Sequence, residues 1–197
     1  MKINIDLSKP KTVRDAIKAL ENAKKLLVDK VVEEMVFECC KAIQMRANAY
    51  VEVADLGDNV KSDIQSGWRI WKTRKGYTLS NVSDKSHFVE FGVGVVGEMN
   101  PHPDADTAGY EYDVESDSKG TDGTWAFFTN KEDLDLPTSA LLAHNWYRQT
   151  DTDKRNRLLI FTKGTPATMF LHNAILDFIE SGEALRIWNA LLAKYFS

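Results

Sequence analysis

The chain has 197 residues, 43% of them apolar and 27% charged, with a formal net charge of −4. That length can bury a real core, and a single domain spanning 1–197 is expected. No run approaches the roughly 20 apolar residues needed to cross a bilayer, and the acidic balance argues against a nucleic-acid groove, which would show a basic excess or basic–aromatic interleaving.

The first ten residues, MKINIDLSKP, lack an apolar signal core and a small-residue cleavage site, so secretion is not expected. Cys39 and Cys40 are adjacent in a helical stretch. Their side chains diverge by about 100°, which argues against a disulfide between them. Without further cysteines there is no Cys-type zinc site, and a reducing, cytoplasmic compartment fits best.

Thr12-x-x-Asp15 reads as a capping box. From there to about Tyr50, apolar residues such as Val13, Ile17, Leu20, Leu27, Val31, Met35 and Ile43 recur at helical steps with no Gly or Pro, and a break is expected near Asp29. Gly57 ends that pattern. Val60 and Ile64 suit a short helix. Trp68–Lys72 and Tyr77–Val82 alternate around Thr73-Arg-Lys-Gly76, which predicts a hairpin. Ser86–Gly92 predicts a short helix with Phe88 and Phe91 on one side.

Residues 97–163 form a long, polar, turn-rich insertion, with short strands predicted at 124–128 and 157–161 and a short helix at 139–148. Residues 98–163 hold 13 acids and 7 bases, net −6, leaving 16 acids and 18 bases, net +2, elsewhere. Thr165-Pro166 predicts a helix start. Phe170, Ala174 and Phe178 make an apolar stripe, Ser181-Gly182 interrupts it, and Leu185, Trp188, Leu191 and Tyr195 continue it.

Three patterns point toward chemistry. Gly92-x-Gly94-x-x-Gly97 matches the dinucleotide-binding fingerprint, which requires a parallel strand before the glycines and a helix directly after them. Here SHFVEF precedes, and EMNPHP follows with two prolines that oppose that helix. Asp104, Asp106, Gly109 and Glu115 fall at four positions of an EF-hand-type calcium loop, but Ala108 and Tyr112 break the pattern and Pro101 and Pro103 block its entering helix. His102 beside Asp104 and Asp106 raises metal-dependent hydrolysis. No His-Glu-x-x-His or Gly-x-Ser-x-Gly element accompanies it. His87, His102, His144 and His172 are far apart in the chain and are read as surface or satisfied core histidines. No catalytic, metal-binding or cofactor-binding residue is assigned, and no enzyme activity or cofactor is expected.

The segment SNVSDKSHFVEFGVG resembles the signature of the tail-completion, or head–tail joining, family of long-tailed bacteriophages. The matching positions are Val89, Glu90, Phe91, Gly92 and Gly94, with Asn81 upstream. A second landmark of that family is similar to Gly164-Thr-Pro-Ala167-Thr-Met-Phe170-Leu171. GDNVKSDI before the hairpin is a weaker parallel, and NPHP, GYEYDV and GTWAFF are similar to an insertion in some members. Ser86-His87 and Val93 depart from the family's pattern.

The resemblance implies an α+β fold, with long N-terminal and C-terminal helices packed on a small, mainly antiparallel sheet. It implies a structural virion protein, assembled in the host bacterial cytoplasm as a homohexameric ring between the head connector and the tail tube. DNA would pass through without specific binding. Phe88, Glu90, Phe91, Gly92 and Gly94 are the expected interaction residues: Phe88 and Phe91 anchor a turn to the sheet, the glycines reverse the chain, and Glu90 either pairs with a base or remains a surface carboxylate. The alternative is a metal-binding or hydrolytic domain using His102–Glu115.

Overall fold

The computed structural model describes residues 10–74, 76–113, 122–130, 146–152 and 157–196. The fold is α+β, with a two-stranded and a three-stranded sheet. Two compact units are present: Met1–Met45, Ile70–Leu79 and Ile175–Ser197 form the first, and Arg46–Arg69 with Ser80–Ala174 the second.

The N-terminal helical run comprises α1 (Pro10–Leu26), a π-helical turn (Leu27–Val31) and α2 (Val32–Val53). Helix α1 starts before Thr12, which corrects the capping-box expectation. Proline at a first helical position leaves no amide unpaired, so Pro10 can open the helix. The expected break near Asp29 is instead a widened turn. With no Gly or Pro to stop it, the helix continues and the π turn shifts the phase of the side chains that follow. Val31, at its end, is fully buried.

In the first unit, α2 presents two adjacent carboxylates in different directions, as the helical step of about 100° requires. Glu33 accepts bonds from Lys72 Nζ and from Tyr77 Oη at 3.0 Å, on the β1–β2 hairpin. Here β1 is Trp68–Thr73 and β2 is Gly76–Asn81. Glu34 accepts from Lys194 Nζ at 2.6 Å and Tyr195 Oη at 2.7 Å on α8 (Glu183–Phe196). Phe37 packs on Tyr77 with ring centroids 5.2 Å apart.

In the second unit, α3 (Asp58–Ser66) buries Ile64 and stops at Gly67. The base of the hairpin closes over it, because Asn81 Nδ2 donates to the Ile64 carbonyl and Val82 N to that of Gly67. Trp68 is buried. Its indole N–H donates to Asn48 Oδ1 at 2.7 Å, and its ring meets Phe170 edge-on at 6.1 Å.

Three short helices follow: α4 (Ser86–Phe91), α5 (Gly94–Met99) and α6 (Ala105–Ala108). The 97–163 region also carries a sheet of β3 (Trp125–Asn130), β4 (Trp146–Thr152) and β5 (Arg157–Thr162), in the order β3-β5-β4 and antiparallel throughout. Trp146–Arg148 is strand, which corrects the helix expected over 139–148; positions 139–145 lie outside the described residues. Opposite β5, the Trp146 and Tyr147 backbone pairs with Thr162 and Phe161, and this cross-strand pairing overrides local helical spacing.

The last helices are α7 (Phe170–Glu180) and α8, separated at Ser181-Gly182 as expected. Phe170, Ala174, Phe178 and Leu191 are buried, whereas Leu185 is exposed. Helix α7 starts at Phe170, not at Thr165-Pro166. Thr165 belongs to β6 (Gly164–Thr165), bridged to Val93, and Met169 sits at a positive φ of 53° just before the helix.

Candidate functional site

The segments Val89–Gly94 and Gly164–Leu171 meet in space. Antiparallel bridges join Val93 to Thr165 and Gly94 to Gly164. Thr168 donates both its amide (2.9 Å) and its hydroxyl (2.7 Å) to the Val89 carbonyl, and the Met169 amide donates to that of Glu90.

Glycine is needed where the strands cross. Gly92 ends α4 at φ 78°, ψ 178°, a region essentially restricted to glycine. A Cβ there would lie 2.6 Å from the Ala167 nitrogen and 2.7 Å from the Thr165 oxygen. On the facing segment, a Cβ on Gly164 would collide with the Val93 carbonyl.

Glu90 is buried, which corrects the surface-carboxylate reading. Its Oε2 accepts the Leu171 amide at 2.8 Å and its Oε1 the His172 amide at 2.9 Å. These are amides of the first turn of α7, which have no carbonyl partner within their own helix. The carboxylate caps them and sits at the positive end of the helix dipole. His102 Nε2 lies 3.1 Å from the same Oε1. The expected pairing with a base therefore takes the form of a histidine plus a helix start.

The inward face of α4 is polar for this reason. Ser86 and Glu90, four residues apart, are both buried, and the Ser86 hydroxyl donates to the Ser83 carbonyl at 2.8 Å. Phe88 is 46% exposed and its ring lies on His87, so it does not anchor the turn as expected. Phe91 does act as an anchor, though on aromatic residues of the insertion instead of on a sheet. It stacks on Tyr110 at 4.7 Å and tilts against His102 at 4.4 Å.

Tyr110 and Tyr112 complete the enclosure. Tyr110 Oη donates to the Gly92 carbonyl, and the His102 amide donates to Tyr112 Oη at 2.7 Å. Burial, with Tyr112 adding to it, pushes the Tyr110 phenol up to about 12. The Tyr112 carbonyl takes the Gly94 amide at 2.7 Å, and the Lys163 carbonyl takes that of Val96. Gly97 packs against the Tyr112 ring.

These contacts decide the glycine fingerprint. Amides that would face a pyrophosphate are spent on carbonyls within the chain, and helix α4, not a parallel strand, precedes the glycines. No helix starts directly after Gly97: α5 begins at Gly94, contains Gly97 and ends at Met99 before Pro101. The calcium-loop pattern dissolves as well. Ala105–Ala108 is a helical turn, Asp104 turns to His172, and Glu115 lies outside the described residues.

His102 is a satisfied core histidine, as expected, and it meets His172 from the far end of the chain. Their rings are edge-to-face at 5.2 Å, and His172 Nδ1 is 2.8 Å from Asp104 Oδ2. One ligand atom each from His102, Asp104 and His172 lie within 4.8 Å of one another, a group that could hold a metal ion. The sequence signalled the His102–Asp104 pair but not His172, which is 68 residues from Asp104 in the chain.

Among the described residues, no helix is long and apolar enough to cross a membrane. Compared with family models, curated proteins and solved structures, the chain matches none.

Proposed function

We propose that this chain is a structural virion protein of a long-tailed phage or prophage, a tail-completion subunit that assembles into a ring and joins head to tail. The observation that supports this reading is the mutual locking of the two motif segments. Gly94 bridges Gly164, and Glu90 caps the helix that begins at Phe170 within the second segment. Residues shared with the joining family therefore serve a common structural purpose: they rivet two distant segments into one rigid corner.

In this reading the ring is a hexamer, its partners are the head connector and the tail tube, and its work is mechanical rather than catalytic. A closed ring repeats each surface charge about its axis. Acidic residues of the 97–163 insertion facing the lumen would keep passing DNA from adhering.

Electron microscopy of particles lacking the protein tests the role. Full heads and finished tails that fail to unite are the expected result, and normal virions would overturn it. Native mass spectrometry of the purified chain, alone and with connector protein, checks ring formation.

A further inference from the structure

We infer that His102, Asp104 and His172 form a binding site for a divalent transition-metal ion of the zinc class, tying the loop after α5 to the first turn of α7. This goes beyond head–tail joining and stands independently of it.

Two imidazoles and one carboxylate are a donor set for zinc and its neighbours, not for calcium or magnesium, which take oxygen ligands. A tetrahedral ion with bonds of about 2.0–2.1 Å places its ligand atoms roughly 3.3 Å apart. Here Asp104 Oδ2 lies 2.8 Å from His172 Nδ1 and 4.0 Å from His102 Nδ1. Small side-chain rotations close that difference, since the Asp104 side chain is 58% exposed and its bond to His172 is the contact the ion would replace.

His102 is already set as a ligand. Its Nε2 faces Glu90 Oε1 at 3.1 Å and its Nδ1 accepts the Asp104 amide at 3.0 Å, so the proton sits on Nε2 and the Nδ1 lone pair points toward Asp104. A carboxylate on the far nitrogen is the outer-shell support that metal-bound histidines usually have. The ring itself is held rigidly, with only 2% of its side chain exposed. Metal on Nδ1 displaces the Asp104 amide, which passes to water at this exposed position. At His172 the ion takes the place of the proton joining Nδ1 to Asp104, and the ring carries its single proton on Nε2, the neutral tautomer that ligates. The start of α7 opposes a cation with about half a positive charge. The carboxylates of Glu90 and Asp104 outweigh it.

The full-length chain, stripped with chelator, is titrated with Zn²⁺ by calorimetry and with Co²⁺ by visible absorption. We expect one Zn²⁺ per chain and d–d bands of low-coordinate cobalt. Zn²⁺ at about 100 times Kd should raise the melting temperature by roughly 5–10 °C. Asp104→Asn and His172→Ala should each weaken Zn²⁺ at least about tenfold, as losing even an outer-shell partner does. If His172→Ala does not fold, Asp104→Asn decides. Absence of Zn²⁺ binding by the wild type would overturn the site. So would undiminished affinity in Asp104→Asn, which would place the ion elsewhere.

Discussion

Glu90 and Leu171, 81 residues apart, are joined by a hydrogen bond of 2.8 Å from the Leu171 amide to the Glu90 carboxylate. With the His172 amide and His102 on the other oxygen, this carboxylate fastens α4 to the start of α7. A buried group with three such partners stabilises the fold mainly through what its loss would leave unpaired.

Glu90→Gln keeps the shape but turns an NH2 group toward a backbone amide. The expected loss is roughly 2–4 kcal/mol, seen as a melting temperature lower by roughly 5–15 °C. Thermal and urea denaturation measure it. A variant as stable as the wild type would mean that the cap contributes little.

Gly92 and Gly109 both have positive φ, 78° and 63°, but their surroundings differ. Gly109→Ala meets open space and carries only the left-handed backbone cost, about 1–2 kcal/mol. Gly92→Ala adds a clash with the Ala167 and Thr165 backbone, so roughly 3 kcal/mol or more is expected. Urea midpoints of the two variants compare them directly, and equal losses would refute the close crossing.

Tyr110 links stability to alkaline pH. Its phenol is raised from 10.0 to about 12, so the folded state favours the neutral form. That contribution is complete below pH 10 and is lost as pH rises through about 12. Tyr110→Phe should flatten the alkaline fall in stability relative to wild type. Ultraviolet difference titration of phenolate absorbance should show one tyrosine fewer in the late-titrating class.

Glu33 and Glu34 act at the acidic end. Lys72, then Tyr77, lowers Glu33, while Lys194, then Tyr195, lowers Glu34, both from 4.5. Their stabilisation is present above 4.5 and lost as pH falls through the lowered folded values. The double variant E33Q/E34Q should therefore show a smaller stability difference between neutral and acidic pH than wild type. Because Lys72 and Lys194 are well exposed, high salt should narrow the gap between the proteins.

Much of the architecture was legible in the chain. The apolar steps from Val13 to Ile43, the alternation around Gly76 and the stripe Phe170, Ala174, Phe178 each report a local face, and the helices and hairpin follow them. Local pattern misled where partners lay far away. Trp146–Arg148 carries helical spacing but pairs with β5, and Thr165-Pro166 looks like a helix start but bridges Val93.

The positions of the main helices, the hairpin and the turn-forming glycines were determined by sequence alone, because periodicity and backbone permissiveness act within a few residues. Tertiary structure alone decided that Glu90 is buried and that His102, Asp104 and His172 share one corner. Those outcomes depend on the second motif crossing the first. Only that crossing supplies the unpaired amides of α7 that make an inward-facing carboxylate favourable.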